Sequence, residues 1–170
     1  MKTGTTTQVS VDVQYASIET LLPTYEDICA WVDSTLVLVT GMKHISIHTF
    51  RADAEIELVV RIVDERESCA LNQQYRGRSK ATNVLSFPYC NESDISDINL
   101  LGDIVVCAPI VKREADIQNK KPRAHWAHMV VHGVLHLLGF NHESTSGARQ
   151  MESLETVVLA RLEFPDPYYI

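Results

Sequence analysis

Five of the seven histidines fall between residues 125 and 142, at His125, His128, His132, His136 and His142. Imidazole is a preferred metal ligand and the side chain that titrates nearest neutral pH, so a cluster this dense points to metal binding or proton transfer. At about 100° per residue the first four share one helical stripe roughly 80° wide. His132 and His136 are four residues apart, a spacing that aims two ring nitrogens at one point. Gly139 is placed to end the helix in the left-handed conformation and reverse the chain, bringing His142 back as a third nitrogen donor. The full spacing is H-x-x-x-H-x-x-G-x-x-H. Three neutral imidazoles with a fourth position open describe a catalytic zinc site, since structural zinc takes four protein ligands. One Zn2+ per chain is expected, and Ni2+ or another first-row divalent ion also suits nitrogen donors. His128 reads as an outer-layer or substrate-facing residue and His125 as a surface residue near the helix start. No motif surrounds His44 or His48.

Extended zinc peptidases carry a glutamate directly after the first histidine as general base. Here that position is Gly133. Without that carboxylate, peptide hydrolysis lacks the group that moves the water proton to the leaving amine. Glycine also costs about 1 kcal/mol in a helix relative to alanine, so its presence predicts a close approach of backbone or substrate at that turn. A phosphodiester fits better, because its cleavage needs Lewis-acid activation and cationic stabilisation but no adjacent glutamate.

The charge distribution says where an anion would meet the chain. Residues 1–70 hold 5 basic and 11 acidic side chains, residues 71–124 hold 8 and 6, and residues 125–170 hold 2 and 5. The net charge of −7 argues against a protein that coats nucleic acid through its overall field. Only the middle is net positive, with Arg76, Arg78 and Lys80 in one cluster and Lys112, Arg113, Lys120, Lys121 and Arg123 in another. Arg76 itself has two readings: a guanidinium gripping a phosphate through parallel hydrogen bonds, or a pin tying the loop after its helix to a nearby carboxylate.

These residues need elements to position them. Val9 to Tyr15 alternates as a strand, and Pro23 opens a helix that Gly41 ends. Ile56 to Val63 is a β-branched strand. Asp64 can cap a helix that runs to about Tyr75 and stops at Gly77. Val84 to Phe87 and Ile104 to Cys107 read as short strands, and Pro109 and Pro122 start helices. A last helix spans Gly147 to Phe164. Mixed strands and helices without regular alternation predict an α+β fold: a small mixed sheet with helices packed on it, the metal site lying on a central helix and the loop after it.

The length of 170 residues suits one domain over residues 1–170, and 45% hydrophobic with 22% charged residues excludes disordered and fibrous classes. No apolar run approaches the roughly 20 residues of a membrane span, and Met1 to Ser10 has no apolar signal core. The cysteines, Cys29, Cys69, Cys90 and Cys107, stand alone, which predicts free thiols in a reducing cytoplasm and no membrane partner.

The stretch from Met129 to His142, MVVHGVLHLLGFNH, strongly resembles the signature of the YbeY endoribonucleases, also called rRNA maturation factors. Leu71 to Pro88 (LNQQYRGRSKATNVLSFP) and Leu101 to Val105 (LGDIV) are similar to two further hallmarks of that family. The resemblance implies a metal-dependent, single-strand-specific endoribonuclease that matures the 3′ end of small-subunit (16S) rRNA and takes part in ribosome quality control. Its partners would be single-stranded RNA, rRNA and the ribosome or its small subunit, with no DNA. The family's metal histidines carry over onto His132, His136 and His142, with His132 also counted as catalytic, and its functional arginine onto Arg76. Two positions depart from the pattern: Ala81 replaces a frequent proline, and Asn141 replaces a frequent aspartate, removing a carboxylate next to the metal. The remaining basic residues of the middle segment would track the RNA backbone, and Tyr75 and Phe87 could stack on bases. Ser86, Asp103 and Glu143 are open as proton donors. Two rival functions stand beside this one, a zinc metallohydrolase acting on peptides and a non-catalytic ribosome-assembly factor with a structural metal.

Overall fold

A computed structural model describes residues 7–42, 54–89 and 98–169; His44, His48 and Cys90 lie outside them. In chain order the described residues form β1 (Val9–Ala16), α1 (Tyr25–Thr40), β2 (Glu55–Val63), α2 (Glu65–Arg76), β3 (Val84–Pro88), β4 (Ile98–Cys107), α3 (Ala108–Ile117), α4 (Pro122–Leu137) and α5 (Thr145–Arg161). The sheet order is β1-β2-β4-β3, with β1, β2 and β4 parallel and β3 antiparallel at the far edge. This is the expected α+β arrangement of a mixed sheet carrying helices.

Alternation along the strands separates two faces. Ile56, Leu58, Val60 and Ile62 of β2, with Ile104 and Val106 of β4, join the apolar sides of α1, α4 and α5 in the main core. Val63, Leu85, Val105 and Cys107 face the other way and pack with Leu71 of α2 and Ile110 of α3. Because both faces are covered, the parallel strands are rich in Val and Ile.

Several details differ from the sequence expectation, among them the bounds of α5, Thr145–Arg161 rather than Gly147 to Phe164. β4 starts at Ile98 rather than Ile104. Its first half, INLLGD, has weak strand patterning, and pairing with β2 from Glu55↔Ile98 onward supplies what local propensity lacks. α1 begins after Thr24, which forms a capping box with Asp27. Asp64 does sit at the N-cap of α2, yet its side chain makes no cap bond. Its carboxylate instead accepts from the Ser17 hydroxyl and from the Ile18 N–H (3.1 Å), fastening the β1–α1 connection.

α4 is the helix on which the site depends. Val130, Val131, Val134 and Leu135 are wholly buried, each worth about 1.5–3 kcal/mol of transfer free energy. The close approach predicted from Gly133 is one of backbone to sheet. A Cβ at this position would lie 2.7 Å from Cγ2 of Ile104, itself fully buried, and the Ser86 hydroxyl donates to the Gly133 carbonyl (3.2 Å). Gly133→Ala would stabilise an open helix by about 1 kcal/mol; here overpacking against Ile104 should make it destabilising by about 1–2 kcal/mol. Urea unfolding reads the sign, and a stabilised variant would mean that α4 does not touch the sheet at this residue.

Candidate metal centre

The chain reversal after α4 is a Schellman motif: the Gly139 N–H bonds the His136 carbonyl (3.0 Å) and the Phe140 N–H bonds the Leu135 carbonyl (3.1 Å). Gly139 has φ +95°, a conformation side-chain-bearing residues avoid. The turn brings His142 over the end of the helix, with ring centroids 5.2 Å from His136 and 5.9 Å from His132. His132 and His136 are 4.6 Å apart by centroid, and their Nε2 atoms are 3.0 Å apart. One nitrogen from each of the three rings lies within 4.8 Å of the others, an arrangement that could hold a metal ion. Tetrahedral zinc with Zn–N bonds of about 2.0–2.1 Å separates its nitrogens by about 3.3 Å, so the donor set fits a borderline divalent cation in both type and spacing.

His136 is held neutral. Burial, together with the neighbouring His132 and His142, pulls His136 down to about 4. A neutral ring presents a lone pair, which ligation requires.

Behind His132 stands a residue the sequence reading missed. Glu155 of α5 is fully buried, and its Oε1 accepts from His132 Nδ1 at 2.5 Å. Its Oε2 accepts from His128 Nε2 (3.1 Å) and from the Tyr168 hydroxyl. Burial alone would raise the Glu155 carboxyl, but the hydrogen bonds from His128 and His132 hold it down at about 2. Because His132 donates through Nδ1, its Nε2 lone pair is left facing His136. Glu155 does leave a trace in the sequence: it sits on the apolar side of α5 between Met151 and Leu159, where a carboxylate has no place without a buried partner.

The histidine stripe therefore divides. His132 and His136 reach the cleft, whereas His125 is buried at 3% exposure and is not the surface residue expected. Its Nε2 pairs with Glu114 (2.7 Å), and burial, outweighing that partner, depresses its pKa. His128 is the outer-layer residue, turned toward Glu155 and Tyr168.

Opposite the histidines, the loop after α2 builds a cationic wall. Two buried polar residues of α2 hold it down: Asn72 donates to the Lys80 carbonyl (2.8 Å), and the Ser68 hydroxyl bonds both the carbonyl and the N–H of Thr82 (2.9 and 3.0 Å). Arg76, Arg78 and Lys80 thereby line the same cleft, of about 530 Å3, as His132, His136 and His142. Arg76 Nη2 donates to the Ser86 carbonyl (3.1 Å), and among the described residues no carboxylate pairs with it. Asn141 and Glu143 also line this cleft, while Asp103 does not. The Ser86 hydroxyl is engaged by the Gly133 carbonyl.

The second basic cluster does not join them. Lys112 pairs with Glu19 (3.3 Å), Arg113 with Glu65 (2.7 Å), and Arg123 with Asp27 while stacking over Trp31 and Phe164. Lys120 donates to the Pro167 carbonyl (2.7 Å). These cations fasten elements to one another rather than forming a track beside the histidines. Tyr75, 59% exposed, packs its ring on Phe87 at 5.0 Å. A larger cavity of about 970 Å3 meets the cleft at Asn83 and is lined by His125 and His128, but not by Arg76 or the three converging histidines.

Comparison with known proteins agrees with this geometry. A family model described as Endoribonuclease YbeY matches residues 30–163. A Nitrosococcus oceani protein named Endoribonuclease YbeY is 45% identical over 161 residues, covering 94% of this chain and 97% of that one. The solution structure of a Thermotoga maritima protein aligns over 93% of this chain and 99% of its own, with a TM-score of 0.50 and 23% identity, a likeness of fold.

The pKa directions set a pH dependence for the metal-free protein. His136, lowered from 6.5 to about 4, binds its proton more readily when unfolded. Its contribution to stability is therefore complete above about pH 6.5 and is lost as pH falls through about 4. Proton NMR titration should give His136 a midpoint well below 5, with the unfolding temperature dropping over the same interval. A midpoint near 6.5 would show that the rings do not crowd one another.

Proposed function

Because the chain belongs to the YbeY endoribonuclease family, we propose that it is a metal-dependent, single-strand-specific endoribonuclease that matures the 3′ end of small-subunit (16S) rRNA. Residues 1–170 act as one domain, working in the cytoplasm on the ribosome or its small subunit and contributing to ribosome quality control. The observation that carries the reading is that three converging imidazoles and a guanidinium line one cleft.

In this reading His132, His136 and His142 hold one divalent cation, Zn2+ in the first instance. When bound, the cation supplies Lewis-acid polarisation at the phosphodiester. His132 is kept as the Nδ1–H tautomer by Glu155, so that its Nε2 faces the cation. Arg76 grips the scissile phosphate and stabilises the charge that develops on its oxygens. Its bond to the Ser86 carbonyl holds the guanidinium at the cleft wall while the remaining donors serve the phosphate. Arg78 and Lys80 steer the backbone of the same strand, and Tyr75 offers an exposed ring for stacking on a base. Preference for single strands is expected if a base must splay out of its stack to bring the scissile phosphate to the histidines.

Peptide hydrolysis is disfavoured by the contact between Gly133 and Ile104, which leaves no carboxylate beside His132 at that turn. Zinc analysis and RNA cleavage test the reading together. His132→Ala and His136→Ala should each lose the bound ion and the activity. Arg76→Ala should keep the ion yet lose cleavage of single-stranded RNA by about 10²-fold or more. Equal activity in Arg76→Ala removes the arginine from the mechanism. Zinc-loaded protein that binds small subunits but never cuts RNA establishes the assembly-factor role instead. Contacts from Arg76, Arg78 and Lys80 should also give log–log salt dependence of binding with a slope of about −2, and a flat response would exclude phosphate recognition.

A further inference from the structure

The chain continues beyond α5 into a tail that is tied to the rest of the protein at several points. After Arg161 a second Schellman-type turn closes, with the Phe164 N–H on the Leu159 carbonyl (2.8 Å) and Glu163 at φ +63°. The Phe164 ring meets Trp31 edge-on at 6.2 Å, and Arg123 lies over both. Lys120 then holds the Pro167 carbonyl (2.7 Å), and the Asp166 carboxylate takes the Tyr168 N–H (2.9 Å). Pro165 and Pro167 stiffen the segment between these anchors. Past these anchors the Tyr168 ring lies edge-on to His128 at 5.5 Å and its hydroxyl donates to Glu155 Oε2.

That hydroxyl touches no cleft residue, yet it fixes the carboxylate that orients one. Glu155 is fully buried and can turn about its terminal torsion unless both oxygens are held. Oε2 is held by His128 and Tyr168, which leaves Oε1 for His132. Burial and the Glu155 carboxylate push the phenol well above its ordinary value, so it stays a donor at any physiological pH. A neutral donor fixes the plane of Glu155 without adding a positive charge to it. Glu155 therefore remains anionic and makes His132 a better electron-pair donor through Nδ1.

From this chain of contacts we propose that Tyr168 is a positioning residue for His132, acting through Glu155, so that the C-terminal tail completes the metal centre. The inference rests on the proposed role of His132, His136 and His142 as the residues that hold the cation. Tyr168→Phe removes one hydroxyl and keeps the ring, its packing and every tail anchor. Zinc dissociation constants from competition with a chromophoric chelator should then weaken by about 10-fold in Tyr168→Phe and by about 10- to 100-fold in Glu155→Gln. Metal-free Tyr168→Phe loses a hydrogen bond to a buried carboxylate and should unfold at a somewhat lower temperature than the wild type, so both zinc affinities are read well below either midpoint, where each protein is folded, which separates positioning from a general loss of structure. Long-range 1H–15N spectra of the metal-free wild type should show His132 protonated on Nδ1. Protonation on Nε2, or zinc held as tightly by Tyr168→Phe as by the wild type, overturns the inference. Wild type that binds no zinc overturns the metal reading with it, whereas zinc bound equally by both proteins defeats only the role of Tyr168.

Discussion

Burial of α4 on nearly every side is the constraint from which the site follows. A helix packed against the sheet, α1, α3 and α5 has little solvent-facing surface, so each polar residue on it must find a partner inside the protein or open onto a cavity. Its four histidines take both courses. His125 and His128 end on the carboxylates of Glu114 and Glu155, while His132 and His136 open onto the cleft. The cost of placing imidazoles in a core is thus offset at one nitrogen of each ring, while the Nδ1 atoms of His125 and His128 stay buried without a partner. The same packing that stabilises the domain also fixes the rings, which hydrogen bonds within a flexible loop could not do.

Electrostatically, the centre has an anionic back and a cationic front. Glu155 lies in the core with its charge satisfied by three donors, and removing any of them leaves a buried carboxylate short of a partner. Arg76 at the end of α2, with Arg78 and Lys80 on the following loop held by Ser68 and Asn72, lines the cleft. Those two side chains explain an oddity of α2, whose buried residues are polar. Its inner face grips a loop as well as packing on the sheet. An anionic substrate meets Arg76, Arg78 and Lys80 at the wall, with Glu143 the acidic residue of the lining and the buried charge of Glu155 shielded behind the rings.

The bonding of the two basic clusters shows why net charge by segment is a coarse guide. Lys112, Arg113 and Arg123 carry the same charge as Arg76 but face Glu19, Glu65 and Asp27. Such exposed pairs contribute little to stability, and they reduce the field available to an anion. Arg76, Arg78 and Lys80 keep theirs because the end of α2 and the loop after it turn toward the cleft.

The order of local elements was legible in the chain: strands in Val9–Tyr15 and Ile56–Val63, helices opened by Pro109 and Pro122, and the stops at Gly77 and Gly139. So was the convergence of His132, His136 and His142, because helical periodicity and one left-handed turn are properties of contiguous residues. Glu155 and Tyr168 were not, since Glu155 meets His132 across 23 residues and Tyr168 meets His128 across 40, through packing of α5 and the tail against α4 at spacings that carry no period. The first half of β4 was hidden for the same reason, its strand character coming from β2 alongside. The sequence by itself determined which side chains a helix and its reversal would gather. The tertiary structure alone decided which carboxylate stands behind them and which of the basic residues share their cleft, because contacts between distant segments depend on how whole elements pack.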